Sequence, residues 1–417
     1  MPLKIHNSLD IEELTAAVRI AMIKLKYSSA TMCIYDCIWE DLKDYCHKNH
    51  IKSFSAELAD NFAEEVYQYH LGDPCSKKDN FRKKTVTRAM QHLMDYQSYG
   101  VIFQLSSRDN YSWHDRYKTV FESYLASMIN HGYSKSTLIT IKSCLAGFQQ
   151  FLLQKNVVHL RDLHAENIEA FIMTYSKYSH STIPTRMLYL KLMLEYFYQN
   201  GITTENLSLV CPNIRHGKFT NSFPSVFTAE EIQRLLKAVD RESPCGKRDY
   251  ALILLIVRLA LRSEDAIHLT FSDIDWHLKT IHLTQSKTKE HIVLPLPDDV
   301  GWAIIDYLQN GRPETNCKFV FVKHNASNGY YEEYETSPYH ILQKYLSRAG
   351  ISTDHERRHG FHALRHSLAS ELLKKDIPLP VISGILGHTS SESTNVYLSI
   401  DLKQLRKCAL EVSYENQ

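Results

Sequence analysis

The chain is poor in the residues that break regular structure: glycine occurs 14 times and proline 12 times in 417 residues. That scarcity suits a mostly helical protein. No segment approaches the roughly 18 consecutive apolar residues of a membrane span. The first residues, MPLKIHNSLDIEEL, are acidic and have no apolar core, so neither a secretory nor a transit peptide is expected. The expected compartment is the cytoplasm, with nucleoid association in a prokaryote. Nine cysteines are scattered without a single CxxC pair, which argues against a zinc knuckle or a disulfide framework. Cys33, Cys37, Cys46 and His47 have the spacing of a helix face and are expected in the core of a reduced protein. An excess of positive charge is missing too, with 48 basic residues against 47 acidic ones. A uniformly basic nucleic-acid surface is thereby excluded; a local basic groove is not.

What is present begins with an internal similarity. Residues 26–51, KYSSATMCIYDCIWEDLKDYCHKNHI, match 132–157, GYSKSTLITIKSCLAGFQQFLLQKNV, at an offset of 106. Tyr27, Ser28 and Thr31 meet Tyr133, Ser134 and Thr137, and Trp39, Leu42 and Tyr45 meet Leu145, Phe148 and Phe151. The second set is an apolar stripe at helical spacing, and each serine is a plausible N-cap. Asn61 falls on Asn167, and each copy closes on a helix before a glycine, Gly100 or Gly201. Two small helical domains are expected, over 1–110 and 111–205, followed by a linker at 206–225. FRKKTVTR in the first copy, with Arg82, Lys83, Lys84 and Arg88, suggests DNA contact. A solvated basic loop is the plainer reading of the same residues.

From residue 226 to 417 the texture changes. FTAEEIQRLLKAVD opens with a capping box, Thr228 with Glu231, and RDYALILLIVRLAL reads as a buried helix. DIDW, TIHLT and HIVLPL alternate as strands, and FVFV at 319–322 reads as one more short strand. The remainder is helical, giving a mixed α+β, mainly helical domain with a small antiparallel sheet.

Several polar residues in this domain are placed for chemistry. Arg262 ends the buried helix in LALRSED, three residues before Asp265, a carboxylate able to orient its guanidinium. Lys287 lies at a hairpin tip in QSKTKE, where a solvated lysine such as Lys289 is the ordinary case. His362 and Arg365 share one helix face in FHALRHS, at the head of an amphipathic run; His355 and Arg358 repeat the spacing in a charged loop. In GHTSSESTNVY, His388 precedes Tyr397 by nine residues, a turn of about 900° that puts the rings on opposite faces of one straight helix. A capping box of Thr389 and Glu392 leaves His388 ahead of a helix start, and the Ser/Thr strip invites a break near 394–396 that frees Tyr397 to swing back. Two arginines match phosphate oxygens, a histidine handles a proton near neutral pH, and a tyrosine can act as covalent nucleophile.

In this order, Arg262, Lys287, His362-x-x-Arg365, Gly387-His388 and Tyr397 resemble the boxes of the tyrosine recombinases, the phage integrase family. The resemblance covers about 226–405 closely. It implies a catalytic domain preceded by helical, SAM-like core-binding domains that clamp DNA, which 111–205 resembles, with Lys135, Lys142, Arg186 and Arg215 as candidate contacts. It implies that Tyr397 attacks the scissile phosphate, leaving a 3′-phosphotyrosyl link and a free 5′-hydroxyl. Arg262, Arg365 and His388 would hold the phosphate, Lys287 protonate the leaving oxygen, and His362 take or position the tyrosine proton. Asp265 and His366 would support them, without metal, ATP or other cofactor. The implied partners are double-stranded DNA bearing a recombination site, a homo-tetramer on synapsed DNA and an accessory recombinase or directionality factor. DLKQLRKCALEV would dock on a neighbouring protomer. The chain departs from the family pattern at Ala260, where glycine is usual, at Asp265, where glutamate is usual, and in its additional copy over 1–110. A type IB topoisomerase, or a relative that binds DNA without cutting it, are the alternatives.

Overall fold

The computed structural model describes residues 9–73, 81–104, 111–214, 225–325, 332–334, 338–352 and 359–387. The chain divides into two compact units, Met1–Lys218 and Phe219–Gln417. The first contains α1 (Ile11–Lys24), α2 (Ser29–Lys48), α3 (Ala56–Tyr67) and α4 (Phe81–Tyr99), then α5 (Asp115–Asn130), α6 (Lys135–Gln154), α7 (Ala165–Met173) and α8 (Ile183–Gln199). Each set of four closes on its own core. Trp39, Leu42 and Phe62 centre one; Leu145, Phe148 and Phe151 centre the other.

The two sets share local detail at the offset seen in the sequence. Ser28 Oγ accepts from Thr31 N at 3.2 Å, and Ser134 Oγ accepts from Thr137 N at 3.3 Å, so equivalent serines cap α2 and α6. Lys26 and Gly132 precede those caps with φ of 57° and 77°, and His50 and Asn156 follow the helices, each with φ of 57°. Left-handed residues at both ends fix the direction in which the chain enters and leaves. A 3-10 turn at Leu207–Val210 follows α8, and Leu207 and Cys211 pack into the second core, which therefore continues past residue 205.

Three glutamines of α6 hold the connection between the two sets. Gln154 accepts from Ile102 N and donates to Ile102 O, both at 2.8 Å. Gln150 does the same with Gln104, at 2.8 and 3.2 Å, and Gln149 accepts from His114 N at 2.8 Å and donates to Ser112 O at 3.2 Å. A carboxamide has the donor and acceptor of a peptide group, so these side chains pair with the linker as a neighbouring strand would. Lys24 Nζ donates to Gln154 O at 3.1 Å and adds a tie from α1.

His92 of α4 is fully buried, with its Nε2 2.8 Å from the Tyr27 hydroxyl. Burial, with Arg88 and Lys177 nearby, pushes its pKa down to about 3, so the imidazole is neutral in the fold.

The second unit is built on α10 (Pro244–Leu259), a helix whose residues Ala251 to Ile256 are all buried. Around it lie α9 (Ala229–Lys237), the short α11 (Ser263–Ile267), α12 (Asp298–Asn310), α13 (Tyr339–Arg348), α14 (Phe361–Lys374) and α15 (Leu379–Leu386). The expected capping box starts α9: Thr228 Oγ1 accepts from Glu231 N, and Glu231 Oε2 accepts from Thr228 N. The sheet is antiparallel in the order β1 (Ile274–Asp275), β2 (Thr280–Thr284), β3 (His291–Pro295), with Ile281 opposite Leu294 and Leu283 opposite Ile292 on the buried face. The expected class, helical domains followed by a mainly helical α+β domain, is the observed one.

The strand expected at FVFV does not form. Phe319 makes one isolated bridge with Thr270, and Val320, Phe321 and Val322 run buried without a partner strand among the described residues. Side chains satisfy much of that backbone instead. Arg312 donates to the carbonyls of Cys317, Phe319 and Val320 at 2.8, 3.0 and 3.1 Å, and Arg248 Nη1 reaches Val322 O at 3.4 Å. An unbroken apolar run reports burial, not strand pairing.

Two expectations follow from these contacts. Arg312→Ala should lower stability by about 3 kcal/mol in urea unfolding, with Arg312→Lys recovering only part, because one ammonium cannot serve three carbonyls. For His92 the folded value lies below the unfolded one, so the unfolded chain binds the extra proton as pH falls below about 6.5. Stability should then fall with decreasing pH between about 6.5 and about 3, by a slope near 1 kcal/mol per pH unit. His92→Leu should flatten that part of the pH–stability profile; an unchanged slope would assign it to other groups.

Candidate active site

Helix α10 ends in a sharp turn. Ala260 caps it in the left-handed region, with φ of 50° and ψ of 29°, a conformation that costs a residue with a side chain about 1 kcal/mol and suits glycine. The turn sends the chain through Leu261 into Arg262, the N-cap of α11. Asp265 is buried on that short helix. Its Oδ1 accepts from Ser286 N in the β2–β3 turn at 2.8 Å, while Oδ2 lies 4.0 Å from Arg262 Nη1. Asp265 therefore fastens the hairpin more closely than it holds the arginine.

The closer partner of Arg262 is Gln285. Its Oε1 accepts from Arg262 Nη1 and, at 2.7 Å, from Thr288 Oγ1, while its Nε2 donates to Leu386 O at 3.1 Å. Arg262 Nη2 also reaches Gly387 O at 3.5 Å. Gln285 is fully buried, in line with Ile281 and Leu283 on the inward face of β2. That period of two is the sequence signal that could have found it. Lys287 is exposed at the hairpin tip, and no side-chain contact ties it to the arginines.

Arg365 enters from α14 and is 2% exposed. Its guanidinium donates through Nη1 to Ala260 O and through Nη2 to Leu386 O. Two arginines thus converge on the successive carbonyls of Leu386 and Gly387, at the end of α15. His362, one turn earlier on α14, is exposed; His366 is half-buried and meets its ring edge-on, with centroids 4.7 Å apart and planes at 82°. Gly387 closes α15 in the left-handed region, with φ of 59°, and a Cβ there would collide with the Gln285 carboxamide. His388, Tyr397, the capping box at Thr389 and Glu392, the strip through 394–396, the tail DLKQLRKCALEV, Arg215, and His355 with Arg358 lie outside the described residues.

Of the other cations singled out, Arg82 and Lys84 are exposed in the first turn of α4, with Arg82 5.0 Å from the Tyr67 ring centre and Lys83 5.1 Å from that of Tyr69. Lys135 is exposed and Lys142 half-buried on α6. Arg88 and Arg186 instead line one common pocket, with Lys177, a residue the sequence did not single out.

The family model described as the phage integrase family matches residues 225–403. The candidate integrase/recombinase y4gC of Sinorhizobium fredii is 35% identical over 190 residues, 45% of this chain and 96% of its own length. This chain belongs to the phage integrase family. It is a tyrosine recombinase, an enzyme that cleaves and rejoins DNA in site-specific recombination. The tyrosine recombinase XerC of Staphylococcus aureus is 27% identical over 296 residues, 69% of this chain and 94% of its own length. Among solved structures, the fold is similar to that of a lambda integrase dimer bound to a COC′ core site, with a TM-score of 0.52 and 18% identity over 67% of this chain and 94% of that one. It is also similar to the XerH recombinase bound to difH in a pre-cleavage complex, with a TM-score of 0.51 and 17% identity over 85% and 95% of the chains. Relative to its family, this recombinase has Ala260 at the left-handed end of α10, and its backbone adopts the turn all the same.

The contact between Gln285 and Gly387 gives a measurable coupling. Gly387→Ala should be strongly destabilising in the wild-type background, where the new Cβ meets the buried carboxamide. In a Gln285→Ala background the same change should cost only the left-handed strain of about 1 kcal/mol. Additive losses in urea denaturation of the four proteins would show that the two residues do not meet.

Proposed function

We propose that this recombinase cuts DNA by in-line attack of the Tyr397 hydroxyl on a scissile phosphate. The phenolic oxygen forms a bond to phosphorus as the bond to the 5′-oxygen breaks, leaving a 3′-phosphotyrosyl link. The observation that carries this reading is the convergence of Arg262 and Arg365 on the carbonyls that immediately precede His388. A guanidinium that donates to a carbonyl can donate to a non-bridging phosphate oxygen, and it does so more strongly when that oxygen is charged. Arg262 and Arg365 stabilise the negative charge that builds at phosphorus, and His388 adds a third donor. Lys287, on its exposed hairpin tip, supplies a proton to the leaving 5′-oxygen. His362, exposed one turn ahead of Arg365, takes or positions the proton of Tyr397. Asp265 acts through the hairpin it fastens, and His366 through the ring it packs against. The covalent link stores the phosphodiester energy until a 5′-hydroxyl of the partner strand attacks.

The partner is double-stranded DNA carrying a specific recombination site, engaged by a tetramer on synapsed duplexes with an accessory recombinase or directionality factor. Residues 226–417 form the catalytic domain in this reading and 111–205 the clamp. Residues 1–110 are a further copy of the clamp, supported by the shared caps and left-handed residues, and extend contact along the DNA. In the cell the reaction moves a mobile element.

A nicked suicide duplex of the cognate site should trap wild-type protein covalently, and Tyr397→Phe should bind the same duplex without forming the adduct. An adduct that persists in Tyr397→Phe would assign the nucleophile elsewhere. Deleting residues 1–105 should weaken duplex binding and lower its salt slope; unchanged affinity and slope would remove the first copy from the DNA contact.

A further inference from the structure

The two N-terminal helical sets line an open-sided pocket of about 420 Å³ that the cleavage chemistry does not use. Arg88 of α4, Arg186 of α8 and Lys177 from the turn after α7 line it, with Asp95 as the carboxylate among its lining residues. Asp95 is buried and accepts from Gln91 Nε2 at 2.9 Å. Three cations thus face one anion.

The cations have few strong partners among the described residues. Lys177 Nζ lies 3.2 Å from the centre of the Phe103 ring and 5.4 Å from that of Tyr178. Arg186 lies over Tyr178 at 4.0 Å; its Nε is buried without an acceptor, and its other contacts are the Ser143 hydroxyl at 3.5 Å and the Cys144 thiol at 3.9 Å. Arg88 Nη2 donates to Phe103 O. Aromatic faces return only part of what it costs to take such charges out of water. Burial pushes the Lys177 ammonium down to about 8, against the pull of the Asp95 carboxylate and with Arg186 and Arg88 adding to the fall.

We propose that this pocket is a phosphate-binding site. Its charge suits a dianion, the Lys177 ammonium donates to no acceptor among the described residues, and the Tyr178 and Phe103 rings leave an apolar wall for whatever carries the phosphate. The phosphate comes either from the DNA backbone or from a small free ligand. The same chemistry serves both.

The test titrates full-length protein with inorganic phosphate, following thermal stability, in the wild type, Lys177→Met and Asp95→Asn. Lys177→Met should weaken phosphate binding by about tenfold or more, and Asp95→Asn should tighten it, a gain that misfolding would not produce. Phosphate held elsewhere on the chain, at Arg262 and Arg365 above all, would respond to neither change. Any other pattern overturns the site. Binding of a duplex oligonucleotide then separates the sources: a salt slope lowered by about one in Lys177→Met identifies a DNA phosphate, and an unchanged slope identifies a free ligand.

Discussion

The second unit depends on one buried guanidinium. Arg365 holds the carbonyl at the end of α10 with one nitrogen and the carbonyl near the end of α15 with another. A charge this deeply placed is costly unless each donor finds an acceptor, and helix C-termini offer carbonyls that lack an intrahelical partner. The arrangement meets both needs at once. It also fixes the end of α15 at Leu386 and Gly387.

Around that anchor the other parts fall into place through the hairpin. Gln285 links β2 to Arg262 and to Leu386, and Asp265 ties α11 to the turn that carries Lys287. The lysine stays exposed at the tip while the base of its hairpin is fixed.

In the N-terminal unit the cohesion is of another kind. Gln154 gives buried Ile102 the hydrogen bonds it would otherwise lose on burial, and Gln149 and Gln150 pair with the more exposed Gln104, Ser112 and His114 on the linker. The seam brings Arg88 beside Arg186, residues 98 positions apart in the chain, together with Lys177. Nothing in their spacing announces this. By contrast, the serine caps of α2 and α6 and the stripe of Leu145, Phe148 and Phe151 were legible, because capping and helical periodicity are local.

The sequence by itself determined the helical class, the hairpin, the order of the arginine, lysine and histidine boxes, and the family they mark. Each of these is written in short-range spacing or in residue type. Only the tertiary structure decided that Gln285, more than Asp265, holds Arg262, that FVFV is served by arginine side chains in place of a strand, and that Arg88 and Arg186 share a pocket. Those outcomes depend on which donor meets which acceptor across long stretches of chain, and a hydrogen bond of a few ångströms leaves no periodicity behind.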